Sequence, residues 1–92
     1  MNNINNITII IVTYLTNKKI LLNCLNSIDK KIKVIIVENS KKFKEEKFFL
    51  KRFNNLQIIC TGENLGYGKG NNFGIKKTKT DFVLILNPDT VL

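Results

Sequence analysis

Apolar residues in this chain fall into two kinds of run, unbroken β-branched stretches and stretches that recur every three or four positions. Ile7-Thr8-Ile9-Ile10-Ile11-Val12 is of the first kind. It is too short for a helix and apolar on both faces, which predicts a central strand of a parallel sheet with helices covering both sides. Ile20, Leu21, Cys24, Leu25 and Ile28 then recur at helical spacing between Lys and Asn. That pattern predicts an amphipathic helix of about three turns, with Thr16 or Asn17 capping its start. Lys33 to Val37 repeats the buried-strand pattern, and Phe43, Lys47, Phe49, Leu50 and Phe53 mark a second, charged helical stretch. Gln57 to Cys60 reads as a third strand, and Gly62 to Gly70 as a glycine-rich loop. A short helix is predicted from Asn71 to about Lys77, and Asp81 to Leu86 as a fourth buried strand. The predicted fold class is therefore α/β, a Rossmann-like parallel sheet in β-α-β-α-β-α-β order with right-handed crossovers.

In open α/β sheets ligands bind at the carboxyl ends of the strands. Those ends are Thr13-Tyr14, Glu38-Asn39-Ser40, the loop Gly62–Gly70 and Asn87-Pro88-Asp89. The predicted topology gathers all four polar clusters on one edge. Asp89, a carboxylate just past a strand, is placed to hold a hard divalent cation on phosphate oxygens, and Pro88 stiffens the turn that aims it. Glu38 follows four apolar strand residues, where a charge is expected to leave the core; an acid there commonly accepts from a ribose hydroxyl or a base imide. The glycine stretch is neither a P-loop nor G-x-G-x-x-G: Asn71 follows Gly70, and Asn71 and Phe73 stand where a last glycine is needed. What it offers is close backbone approach, amide side chains and one cation, suited to a pyrophosphate or a sugar.

Composition narrows the picture. Ninety-two residues suffice for one small domain, 1–92, and 43% hydrophobic with 24% charged residues is ordinary for a globular chain. The net charge of +8 comes from fourteen Lys and a single Arg, Arg52, in a chain also rich in Asn and Ile. An AT-rich genome encodes such a mixture, and a nucleic-acid reader more often uses Arg. No nucleic-acid partner is therefore expected; the alternative is a basic module for nucleic acid or anionic surfaces. Cys24 and Cys60 form no C-x-x-C pair, so both are expected as buried free thiols in a reducing cytoplasm. Asn2, Asn3, Asn5 and Asn6 make the N-terminus too polar for a signal peptide, and Ile9–Val12 is too short to span a bilayer.

In order and spacing, the four clusters resemble the family 2 glycosyltransferases, which have a GT-A nucleotide-binding fold. Val12-Thr13-Tyr14 matches the family's strand running into Thr-Tyr-Asn, with Leu15 where Asn is usual. Cys24-Leu25-Asn26-Ser27-Ile28 matches its first helix. Val37-Glu38-Asn39-Ser40 is similar to its Val-Asp-Asn-x-Ser, with Glu for Asp and a shorter spacing to Ser. The most specific stretch runs from Asn64-Leu65-Gly66-Tyr67 to Asn72-Phe73-Gly74-Ile75. Leu86-Asn87-Pro88-Asp89-Thr90 looks like the family's D-x-D region in the Asn-Pro-Asp form of rhamnosyl- and galactofuranosyltransferase-like members.

The resemblance implies the N-terminal part of a GT-A fold, serving an inverting transfer from a nucleotide-sugar donor, UDP- or dTDP-linked. It implies that Thr13 and Tyr14 cradle the base, that Glu38 with Asn39 binds base or ribose, and that Asn64, Gly66 and Asn72 shape the ribose-phosphate pocket. Asp89 would coordinate Mg²⁺ or Mn²⁺ on the pyrophosphate, and Asn87 in place of the usual first Asp lowers the local charge. A glycan or lipid-linked acceptor, in the cytoplasm or peripherally at the inner face of the membrane, completes the implied setting. The catalytic base and the acceptor half are expected beyond Leu92, so these residues alone are expected to bind a donor without transferring it. A degenerate remnant is the remaining alternative.

Overall fold

The structure, a computed structural model, describes residues 6–92, so Asn2, Asn3 and Asn5 lie outside the described residues. Four strands and three helices alternate along the chain: β1 (Ile7–Thr13), α1 (Lys18–Asn26), β2 (Lys33–Glu38), α2 (Glu46–Arg52), β3 (Leu56–Cys60), α3 (Tyr67–Ile75) and β4 (Phe82–Ile85). They form one sheet in the order β3-β2-β1-β4, with every neighbouring pair parallel. The predicted α/β class and element order are what the chain adopts.

Alternation along β1 and β2 explains the two layers. Ile9, Ile11, Val34 and Ile36 face one side, where Leu21, Cys24 and Leu25 of α1 and Phe49 of α2 bury against them. Ile10, Val12, Ile35 and Val37 face the other side, where Phe73 of α3 packs with Val83. Both faces of the central strands are covered, so unbroken apolar runs are what these positions need. Register sets Thr13 opposite Glu38, and Glu38 opposite Cys60, at the carboxyl edge.

Local chemistry fixes the helices. Asn17 caps α1, its Oδ1 accepting from the Ile20 N–H at 3.1 Å, and such a cap is worth about 1 kcal/mol. Leu21, Cys24, Leu25 and Ile28 of the predicted stripe are buried, whereas Ile20 faces solvent. α2 is shorter than its pattern: Phe43 lies upstream of it and packs on Phe49, ring centroids 5.7 Å apart, while Leu50 is exposed. Lys18 Nζ sits 3.9 Å above the Phe48 ring, joining α1 to α2.

Two expectations are corrected. The third helix begins at Tyr67, not at Asn71, and so takes Gly68, Lys69 and Gly70 out of the loop. Glycine is a poor helix former, but tertiary packing decides here, because the glycine face of α3 presses directly on the sheet. A Cβ added at Gly74 would stand 2.9 Å from Cγ2 of both Ile10 and Val37. The fourth strand is not buried: β4 is an edge strand with Phe82, Leu84 and Ile85 exposed and Val83 half-buried, and Leu86 just beyond it enters the core. Asn6 ties its start to β1, donating to Asp81 at 2.9 Å.

Candidate functional site at the carboxyl edge of the sheet

The strand-end clusters meet through a chain of hydrogen bonds. Glu38 is its hub, and the structure overturns the expectation that this carboxylate leaves the core, since only 1% of it is exposed. Thr13 Oγ1 donates to Glu38 Oε1 at 2.6 Å, and Ser40 Oγ donates to Oε2 at 2.6 Å. The Leu15 N–H also donates to Oε2, at 3.2 Å. A buried carboxylate must be satisfied in this way, because an unpaired one is far too costly away from water.

Asn39, buried beside Glu38, carries the chain of contacts to the glycine segment. Its Nδ2 donates to the Gly66 carbonyl at 2.9 Å, and its Oδ1 accepts from Thr61 Oγ1 at 3.1 Å. Asn64 Oδ1 accepts from the Gly66 N–H at 3.0 Å, folding the loop onto itself. Gly66 has φ +85°, a left-handed conformation natural to glycine, and it turns the chain into α3. Tyr67, the first residue of α3, donates its hydroxyl to Asn87 Oδ1 at 2.9 Å. All four predicted strand ends are thus drawn to one edge.

The individual side chains differ in what they offer. Thr13, Glu38 and Asn39 are buried, whereas Tyr14, Asn64, Gly66, Asn72, Asn87 and Asp89 are exposed. Among the described residues the exposed Asn72 side chain joins no hydrogen bond, and its buried neighbour Asn71 holds the inward position. Asn71 is 6% exposed, and its Oδ1 has no partner among the described residues. Sequence reasoning took Asn72 from its place in the family motif and passed over Asn71, because which of two adjacent amides turns inward depends on how α3 lies on the sheet. Cys24 lies under the last turn, its Sγ 3.9 Å from the Asn87 carbonyl. Burial raises its pKa, and the nearby Asp89 carboxylate raises it further. Cys60, expected to be buried, is half-buried, and both thiols are free.

A cleft of about 340 Å³ opens beside Glu38, lined by Leu15, Thr16, Lys18, Phe43 and Lys44 among others. Its size suits a small ligand, and Lys18, Lys42 and Lys44 line it together with Glu38 and Glu45. A second cleft, of about 350 Å³, lies at the amino ends of the strands around Thr8, Lys33 and Lys79, and holds none of the predicted site residues.

The model of the family described as "Glycosyl transferase family 2" matches residues 8–92. The chain belongs to glycosyl transferase family 2. No curated protein matches it. A crystal structure of S. aureus TarS 1–349 superposes with a TM-score of 0.77 at 24% identity, covering 94% of this chain and 28% of that one. Another crystal structure of S. aureus TarS gives a TM-score of 0.73 at 23% identity, covering 91% and 16%. The likeness establishes the fold, the N-terminal part of a GT-A fold, and the chain spans under a third of either TarS chain.

Family membership makes a divalent cation the group to test against these residues. No group of three or more His, Cys, Asp or Glu side chains gathers among the described residues. Asp89 is the single carboxylate of its turn, and Asn87 Oδ1 already accepts from Tyr67. One exposed carboxylate fits a cation that keeps its waters and takes its other oxygens from a bound diphosphate. It does not fit a cation held by protein alone.

Proposed function

We propose that this chain is the donor-binding part of an inverting glycosyltransferase that transfers a sugar from a UDP- or dTDP-linked donor to an acceptor hydroxyl. The observation that carries this reading is the single hydrogen-bonded network, in a family 2 chain, joining Thr13, Glu38, Asn39 and Gly66 beside an open cleft.

In this reading Tyr14 and the cleft wall hold the base over a floor of Thr13, Glu38 and Asn39. Asn64, Gly66 and Asn72 border the ribose and the phosphates. The start of α3 supports the same placement, because no side chain caps its first turn among the described residues and helix N-termini favour phosphate. Asp89 would hold Mg²⁺ or Mn²⁺ against the pyrophosphate, and the bound ion would supply neutralising charge as the nucleoside diphosphate departs. In the transfer, the acceptor oxygen bonds to the anomeric carbon, the bond to the diphosphate oxygen breaks, and a base takes the hydroxyl proton. No residue here is assigned as that base; these residues bind and orient the donor. The Asn-Pro-Asp form points to the rhamnosyl- or galactofuranosyltransferase-like branch. A glycan or lipid-linked acceptor belongs to the same proposal. No helix among the described residues is long and apolar enough to cross a membrane. Peripheral contact with an inner membrane face is part of the same proposal.

Titration calorimetry with UDP- and dTDP-sugars, with and without Mn²⁺, tests the reading. Binding strengthened by the metal is expected, and Asp89→Ala should remove most of that gain, about tenfold in affinity. Metal-independent binding indifferent to Asp89→Ala would overturn the role of Asp89. Absence of binding by every nucleotide-sugar would overturn the reading itself.

A further inference from the structure

The hub carboxylate has a feature that ligand contact does not explain. Three protein donors already face Glu38: Thr13 Oγ1, Ser40 Oγ and the Leu15 N–H. The single ion pair among the described residues joins Lys18 to Glu45, so no cation neutralises Glu38. These three hydrogen bonds are what satisfy the buried carboxylate.

The third donor is the unusual one. Leu15 has φ +51°, the sole non-glycine residue with positive φ among the described residues. For a residue with a Cβ this left-handed conformation is disfavoured, so it persists where surrounding contacts enforce it. The Leu15 side chain cannot be that contact, because 71% of the residue is exposed. The bond from its N–H to Glu38 Oε2 remains, aided by Tyr14, whose N–H donates to Thr16 Oγ1 at 3.3 Å. Leu15 stands between the exposed ring of Tyr14 and the Asn17 cap of α1, and it lines the cleft with Thr16 and Lys18. Its backbone therefore sets where Tyr14 and the cleft wall lie.

We propose that Glu38 is a positioning residue: its buried carboxylate holds Leu15 in the left-handed conformation, and so fixes Tyr14 and the wall of the donor cleft. This rests on the donor-binding reading for its functional consequence, but the clamp itself is a property of the free protein. Glycine and asparagine adopt positive φ far more readily than leucine, so either at position 15 replaces what the clamp enforces. The role of Glu38 thereby becomes separable from direct contact with a ligand.

The test compares wild type, Glu38→Gln, and Glu38→Gln combined with Leu15→Gly. In the free protein, nuclear magnetic resonance reads the backbone coupling and amide exchange of Leu15. A positive φ with a protected N–H is expected in wild type, and loss of both in Glu38→Gln. With UDP as the probe, Glu38→Gln should bind about tenfold more weakly, and adding Leu15→Gly should restore most of that loss. An unchanged Leu15 backbone in Glu38→Gln, or a loss of affinity that Leu15→Gly does not restore, overturns the proposal. If wild type binds no nucleotide, the donor reading fails while the Leu15 measurements still decide the clamp. Should Glu38→Gln not fold, Leu15→Asn alone serves. Relief of an enforced conformation raises the melting temperature, and a lowered or unchanged one counts against the clamp.

Discussion

Cys24 shows how one side chain can report on the site from below. It is fully buried against the Asn87 carbonyl, and its thiol is held protonated first by burial and then by Asp89. Burial also raises Cys60. A thiol whose folded pKa lies above its unfolded one favours folding through the protonated form. That stability is fully present below the ordinary thiol value of 9.0 and is lost as the pH climbs from there through the raised value. Denaturant melts from pH 7 to 10 should therefore weaken above about 9, and Cys24→Ala should flatten that fall although it destabilises at neutral pH through the cavity it leaves. Identical slopes for the two proteins would rule the thiol out. At this scale the sequence was least legible. Glu38 could be picked out as a strand-end acid, but its inward turn depends on Thr13 lying opposite it in register, which no run of residues displays. Leu15 carries no mark of its left-handed backbone except that asparagine is the more natural occupant.

Among the elements, α3 has its sequence most at odds with its structure. A glycine-rich stretch reads as loop because glycine lowers helix propensity, yet here the missing side chains are what let the helix lie on the sheet. Two of its glycines should respond in opposite directions. Gly74→Ala places a methyl against the buried Ile10 and Val37 and should cost about 1–3 kcal/mol. Gly68 has nothing within 4 Å of an added Cβ, so Gly68→Ala should stabilise by about 0.5–1 kcal/mol through better helix propensity. Urea melts of both variants give the comparison, and changes of the same sign would contradict this account of the helix face. The start of α1, by contrast, was legible to within one residue: of Thr16 and Asn17, it is Asn17 that accepts from the Ile20 N–H.

Across the whole molecule, the class of fold and the order of elements followed from the apolar runs, because covered parallel strands need both faces apolar and β1 and β2 have them. The place of each strand within the sheet did not follow. β4 has the same apolar lettering as β1, and only the spatial order β3-β2-β1-β4 makes one a rim and the other a centre. Exposed Phe82, Leu84 and Ile85 are the result, with one side of β4 unpaired among the described residues. The strand-end residues of the candidate site were legible as a set because a parallel sheet sends every strand end the same way.

That order of strands also governs the order of events in time. β1 meets β2 across 25 positions of chain, at Thr13 and Glu38, but meets β4 across 75, at Ile7 and Phe82. Tripling the closed loop costs about 1 kcal/mol more in chain entropy, and β4 offers less buried surface in return. β4 should then be the last strand to dock and the first to detach, so amide exchange in Val83–Ile85 should outpace that in Ile35–Val37 by the population of a partly open state. Equal protection of the two strands would mean that the sheet opens only as a unit. Where β4 leads, the turn bearing Asn87 and Asp89 follows, so this half of the candidate site would come and go on the clock of the rim strand while Glu38 and Asn39 stay in place.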